Sequence, residues 1–168
     1  MTYLISTFGY LSLFFSLILA ITTLLVCLYS IADKQKESLK IRIIIRYIFY
    51  LIALLSLISS ILLFFAIIND EFNISYVYGV SSSDLELKYK WASLYSGQEG
   101  SLLLWLFLLA SMIAIFIRTT LQALNKIEFH IMAIFSAILI FTLIPLVFFT
   151  QPFKISTIEQ IEGLGLNP

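Results

Sequence analysis

Four long apolar runs constrain this chain more than anything else in it. They cover roughly residues 3–30, 41–68, 100–117 and 129–149, and each comes close to or exceeds the ~20 mostly apolar residues a helix needs to cross a ~30 Å hydrocarbon core. In that medium backbone amides must be satisfied within the segment, so such runs predict helices. Of the 168 residues, 61% are hydrophobic and 12% charged, with a mean hydropathy of +1.03, where soluble domains average about a quarter charged. Little is left for a soluble domain. The expected fold is all-α: a polytopic membrane protein with four transmembrane helices, residues 1–168 forming a single membrane domain.

Charge distribution sets an expected topology. Lys34, Lys36, Lys40, Arg42 and Arg46 crowd the first connection, and Arg118 and Lys126 lie between the third and fourth runs. Basic connections stay on the inner side, and these read as a topology signal carried by snorkelling side chains. The loop 69–99 holds Asp70, Glu71, Asp84 and Glu86 against Lys88 and Lys90, so it belongs outside. The tail 150–168 and both termini are then outside too. The N-terminus lacks a basic region and its apolar run is too long for a signal peptide, so it reads as a retained helix. Zero net charge gives no footprint for nucleic acid. Cys27 is the only cysteine, which rules out an internal disulfide or a cysteine metal site. Serines and threonines in the first run read as packing devices.

Local patterns add detail. Phe72 to Tyr78 alternates weakly, as a strand could, and Asp84 to Ala92 reads as a short interfacial helix with an Asp cap, its Leu85, Tyr89 and Ala92 facing one way. Pro145 should kink the last turn of the fourth helix.

The most specific stretch is Trp91-Ala-Ser-Leu-Tyr95-Ser-Gly-Gln-Glu99-Gly-Ser-Leu-Leu-Leu-Trp105. A polar, glycine-containing turn runs directly into an apolar helix, bracketed by tryptophans at the depth such rings prefer. Ser96 and Glu99 have the spacing of a capping box, and a carboxylate is favoured at a helix start. Alternatively, Gly97 and Gly100 let a backbone or flat ligand approach, with Trp91, Tyr95 and Trp105 as aromatic surface. His130, the only histidine, sits beside Glu128; a lone histidine could ligate haem iron or carry a proton, but no second ligand accompanies it. No catalytic set, metal cluster or phosphate loop is present, and no ionisable residue lies mid-run as an ion pathway would need.

Tyr95 to Trp105 resembles the W-G-x-H-E-G-S-L-L-L-W segment of the CcmF/NrfE family of cytochrome c haem lyases. Further pieces follow in family order: Asn69-Asp70 with Phe72 and Tyr76-Val77, then Pro152-Phe153, then Glu162-Gly-Leu-Gly-Leu-Asn-Pro168. Departures from the pattern are Tyr95 for Trp, Ser96 for Gly, Gln98 for His and Glu86 for a loop Pro. The resemblance covers the N-terminal quarter or so of the family. Its tryptophan-rich motif and haem-ligating histidines lie beyond, which fits a split-gene product better than a truncated copy.

The resemblance implies an N-terminal subunit or segment of a membrane haem lyase assembly for cytochrome c maturation, in a mitochondrial or bacterial inner membrane. Haem b would be a substrate held by partner segments, with no haem ligand, metal or catalytic residue in this chain. Implied partners are the remaining CcmF-like segments, a haem chaperone and apocytochrome c, besides membrane lipid. Gly97, Gln98, Glu99, Gly100, Ser101 and Trp105 would form a rigid interfacial turn flanked by Trp91 and Tyr95, with Glu99 fixing the helix start and Trp105 packing beneath it. The competing reading is a structural or transport subunit of an unrelated membrane complex.

Overall fold

A computed structural model describes residues 2–32, 39–119, 127–156 and 163–164. Six α-helices follow in order: α1 (Thr2–Ala32), α2 (Leu39–Ile68), α3 (Ser75–Val80), α4 (Leu87–Ser96), α5 (Gln98–Thr119) and α6 (Glu128–Ile144), the last continuing as a π-helical turn over Pro145–Thr150. Four of these segments are long and apolar enough to cross a membrane: α1, α2, α5, and α6 with its π turn. The chain is an integral membrane protein. Much of the first basic connection, the connection through Lys126, and most of the motif Glu162 to Pro168 lie outside the described residues.

Packing follows from small residues. On α1 the buried stripe runs through Ser6, Gly9, Ser12, Ser16, Ala20, Thr23, Cys27 and Ser30, spaced three or four apart along one face. On α2 the buried side includes Ser56, Ser59 and Ser60. Without a hydrophobic drive between helices in lipid, close approach of backbones is what holds them together. Most of these hydroxyls turn back on their own helix: Ser12 donates to Phe8 O, Ser16 to Ser12 O and Ser30 to Val26 O, each at 2.8 Å. Ser59 crosses to Gly9 O at 3.4 Å. Helix α1 packs between α2 and α6, and α5 packs on α2 with a lesser contact to α6.

The up-and-down order creates two unlike ends. At the basic end Glu128 is 0% exposed between Arg46, whose Nε donates at 2.7 Å, and Arg42 at 3.4 Å. Arg42 also lies over the Phe129 ring, 5.1 Å from its centroid. These arginines therefore do more than snorkel: a carboxylate at the start of α6 draws both inward and ties α2 to α6. His130 is exposed at this same end, a full span from the loop motif.

The other end carries α3, α4 and the tail. Thr2 Oγ1 donates to the Glu71 carboxylate, and Ser6 Oγ to Phe153 O at 2.6 Å. Gly9 matters here: an added Cβ would stand 2.6 Å from Phe153 Cδ1, so only glycine admits that ring. The segment expected as a strand around Phe72 to Tyr78 is instead a loop followed by α3. Its only extended pairing among the described residues is one antiparallel bridge, Ile74 to Ile155, because Ser75 N–H donates to Lys154 O and Ser156 N–H to Asn73 O. The start and end of the described chain thus lie at one end of the bundle. At Pro145 the missing amide breaks the α pattern, and the backbone widens into the π turn rather than merely bending.

Candidate functional site at the loop end

The turn between α4 and α5 is built where α3, α4 and the start of α5 meet at Tyr76. Two residues past the end of α2, Asp70 takes the left-handed region, φ 53°, while Glu71 N–H bonds back to Ala66 O at 3.0 Å. Asp is among the few non-glycine residues that adopt this conformation readily. Its carboxylate receives Lys90 Nζ from α4 at 2.6 Å on each oxygen, with Lys90 buried. Ser93 Oγ on the same helix donates to Val80 O at 2.8 Å, closing α4 onto α3, and Trp91 rests on Phe64 with centroids 4.0 Å apart. The inward face of α4 is therefore Lys90 and Ser93. Of the residues expected to share one face, Leu85, Tyr89 and Ala92, the first precedes the helix, and Tyr89 and Ala92 lie off the side that the ion pair and the serine bond turn inward. The helix begins after Glu86, with no side-chain cap, rather than at Asp84.

From α3 the Tyr76 ring enters the α4–α5 junction. Its hydroxyl donates toward Ser93 O at 2.8 Å and lies 3.1 Å from Leu94 O. Both glycines of the motif face it. A Cβ on Gly97 would sit 2.7 Å from Tyr76 Cε2, and one on Gly100 would sit 2.7 Å from Tyr76 Cζ while colliding with Leu94 O and the tyrosine hydroxyl. The flat group those glycines admit is thus a side chain of this same protein. Burial pushes the Tyr76 phenol up to about 12, reinforced by the Glu99 charge and opposed by the backbone of Gly97 and Gly100.

The capping box does not form. Ser96 is the last residue of α4, and its hydroxyl donates back to Ser93 O at 3.2 Å; one residue, Gly97, separates it from α5, and Ser101 N–H makes its helical bond to Gly97 O at 3.1 Å. With so short a joint, the serine serves the helix it ends rather than the one that follows. Glu99 lies in the first turn of α5 and lines a cleft together with Ser75, Tyr76, Gly79, Phe148 and Lys154. Gln98 is exposed, and Ser101 Oγ donates to Gln98 O at 3.0 Å.

Trp105 does not pack beneath the turn. It is 68% exposed, because the buried face of α5 runs through Gly100, Leu103, Leu106 and Ala110; on α4, Trp91 at 56% and Tyr95 at 58% are exposed as well. The structure thus brings Gly97, Gly100 and Glu99 together around Tyr76 and leaves the aromatic brackets facing out. Tyr76 was the residue not singled out for this role; two glycines three apart beside a helix start were the signal that a ring must come close. Among the described residues no three His, Cys, Asp or Glu side chains gather as a metal site would require.

Fold and site together define an all-helical, four-span membrane protein with a structured loop domain at one end. No family model matches the sequence. It is 35% identical over 116 residues to a probable cytochrome c-type biogenesis protein NrfE of Escherichia coli K12, covering 69% of this chain and 21% of that protein. It is 29% identical over 119 residues to the cytochrome c-type biogenesis protein NrfE of Haemophilus influenzae, covering 71% and 19%. The fold matches a solved structure of the cytochrome c haem lyase CcmF with a TM-score of 0.78 and 18% identity, across 89% of this chain and 25% of that one. The chain belongs to the CcmF/NrfE family of cytochrome c-type biogenesis proteins, and its partial coverage fits the family's N-terminal part. It spans about a fifth of the length of the curated relatives it matches.

Proposed function

We propose that this chain forms the N-terminal segment of a membrane haem lyase assembly and supports covalent attachment of haem to apocytochrome c on the outer face. The observation that carries this reading is the coincidence of two matches, in sequence to NrfE proteins and in fold to CcmF, over most of the chain. Orientation follows the positive-inside rule: Arg42, Arg46 and Arg118 at one end face inward, which turns the loop end and Tyr76 outward. Haem is the substrate. Iron needs axial donors such as imidazole, and the one histidine of this chain, His130, lies at the basic end, so partner segments would supply ligands at the outer face. The role assigned here is structural: the Tyr76 junction holds α3, α4 and α5 as a rigid outer platform against which the haem-handling segments, the haem chaperone and apocytochrome c assemble. Exposed Trp91, Tyr95 and Trp105 offer the aromatic surface for the neighbouring segments.

The test is to tag the chain, extract it gently from its own membrane, and identify what accompanies it by mass spectrometry and absorbance near the haem Soret band. Copurification of a tryptophan- and histidine-rich membrane segment, with haem present only when that segment is retained, supports the proposal. Recovery with unrelated membrane subunits and no haem would sink it.

A further inference from the structure

The cleft beside Glu99 contains features that the platform role leaves unused. Its volume is about 550 Å³, and its walls come from α3, the start of α5 and the end of the fourth span. Glu99 is the second residue of one membrane-spanning helix, and Thr150 the last of another, so the cleft lies where hydrocarbon gives way to the headgroup layer. Phe148 and Phe149, 56% and 79% exposed, carry its rim into the apolar zone. Two residues of opposite charge line it, Glu99 and Lys154. Neither is in an ion pair with another described residue, although Lys90 with Asp70 and Lys88 with Glu86 nearby are paired. On the α3 wall, Gly79 leaves open space, since an added Cβ would meet nothing within 4 Å.

We propose that this cleft binds the headgroup of a zwitterionic phospholipid bearing a primary ammonium, with its phosphate on Lys154, its ammonium on Glu99, and an acyl chain laid against Phe148 and Phe149. The charge pattern selects the class. An anionic lipid would set its phosphate on Lys154 but leave Glu99 facing a net negative headgroup, and a cation would meet Lys154. A primary ammonium can donate hydrogen bonds to the carboxylate, and such charge-assisted bonds are the strong ones; a quaternary ammonium has no hydrogen to donate and favours an aromatic cage instead. The rim of exposed phenylalanines distinguishes a lipid from a soluble zwitterion of the same headgroup.

The experiment uses the complex extracted from its membrane with a mild detergent, exchanged into nanodiscs of phosphatidylethanolamine, phosphatidylcholine or phosphatidylglycerol, and read by native mass spectrometry for retained lipid. Retention of one phosphatidylethanolamine is expected, favoured over the other two by roughly 10-fold or more, the size of one charge-assisted hydrogen bond. Glu99→Gln should remove that preference. Gly79→Leu, whose first side-chain carbon enters open space, should crowd the cleft and abolish retention. Equal retention of all three lipids, or wild-type retention by both variants, overturns the proposal. So does saturation by glycerophosphoethanolamine as readily as by the whole lipid, which would mean a soluble ligand. Release of a protein segment by Gly79→Leu, with lipid content unchanged, would assign the cleft to a protein contact and overturn it equally.

Discussion

Replacing Gly100 by alanine adds one methyl group at the point where α4, α5 and the Tyr76 ring meet. That methyl would collide with the backbone carbonyl of Leu94 and the Tyr76 hydroxyl and stand 2.7 Å from Tyr76 Cζ. A side-chain tip could move aside, but the Leu94 carbonyl belongs to the last turns of α4, itself held by the buried Lys90 to Asp70 pair. Relief therefore requires α4 to shift or Tyr76 to leave. Overpacking of this kind costs about 1–3 kcal/mol, and losing the Tyr76 bond to Ser93 O a further ~0.5–1.5 kcal/mol. Alanine recovers roughly 0.5–1 kcal/mol as the better helix former. The central values leave a net loss of about 2 kcal/mol, which in a chain of this size lowers the melting temperature by roughly 4–8 °C. The molecule carries its own reporter: Cys27 is its only cysteine and fully buried in the bundle, so a thiol-reactive fluorophore lights up on unfolding in detergent. Gly79→Ala, in helix α3 where the added Cβ meets nothing, is the matched control and should melt at or slightly above the wild type. A Gly100→Ala protein melting within about 2 °C of the wild type would refute the tight packing of Tyr76 in that notch.

Other consequences follow from the same contacts. Glu128→Gln leaves Arg42 and Arg46 facing each other at the buried basic end; removing one partner of a buried ion pair costs about 3–5 kcal/mol, visible as a large drop in Cys27 protection, and Glu128→Asp should recover part of it. Tyr76 gives a pH signature. Its pKa is raised from 10.0 to about 12 in the folded protein, so the folded state holds the proton more tightly than the unfolded state does. The stability this contributes is complete below pH 10 and falls as pH rises from 10 to 12, by on the order of 2 kcal/mol, and Tyr76→Phe should flatten that segment of a melting-temperature profile. Trp105→Ala should leave the melting temperature of the isolated chain unchanged, because the indole is 68% exposed, while weakening recovery of partner segments in the tagged complex.

Much of the architecture was legible because the bilayer leaves few choices. A long apolar run must be a helix, and serines spaced along α1 had to be packing positions once no charge accompanied them. Resemblance to the CcmF/NrfE family was likewise readable from ordered motifs. What could not be read were contacts decided by more than one element. Ser96 and Glu99 have capping-box spacing, but whether Ser96 begins α5 or ends α4 depends on the single-residue joint at Gly97. Arg42 and Arg46 look like a topology signal until Glu128, more than 80 residues away, is brought between them. Trp105 lies on a helix whose buried face is set by α2, which helical periodicity alone did not reveal in a helix apolar all round. Tyr76 fills a notch whose two halves, the glycines and the ring, sit on different helices.

Covalent haem on c-type cytochromes is the most direct test of the proposed role. The gene for this chain would be silenced in its own organism, and haem that survives denaturing electrophoresis would be stained by its peroxidase activity, with apocytochrome c followed by antibody. Loss of covalent haem from c-type cytochromes, with apocytochrome still made and non-covalent haem proteins of the same membrane still assembled, is the expected result. Fully haem-loaded c-type cytochromes in cells lacking the chain would contradict its place in a haem lyase.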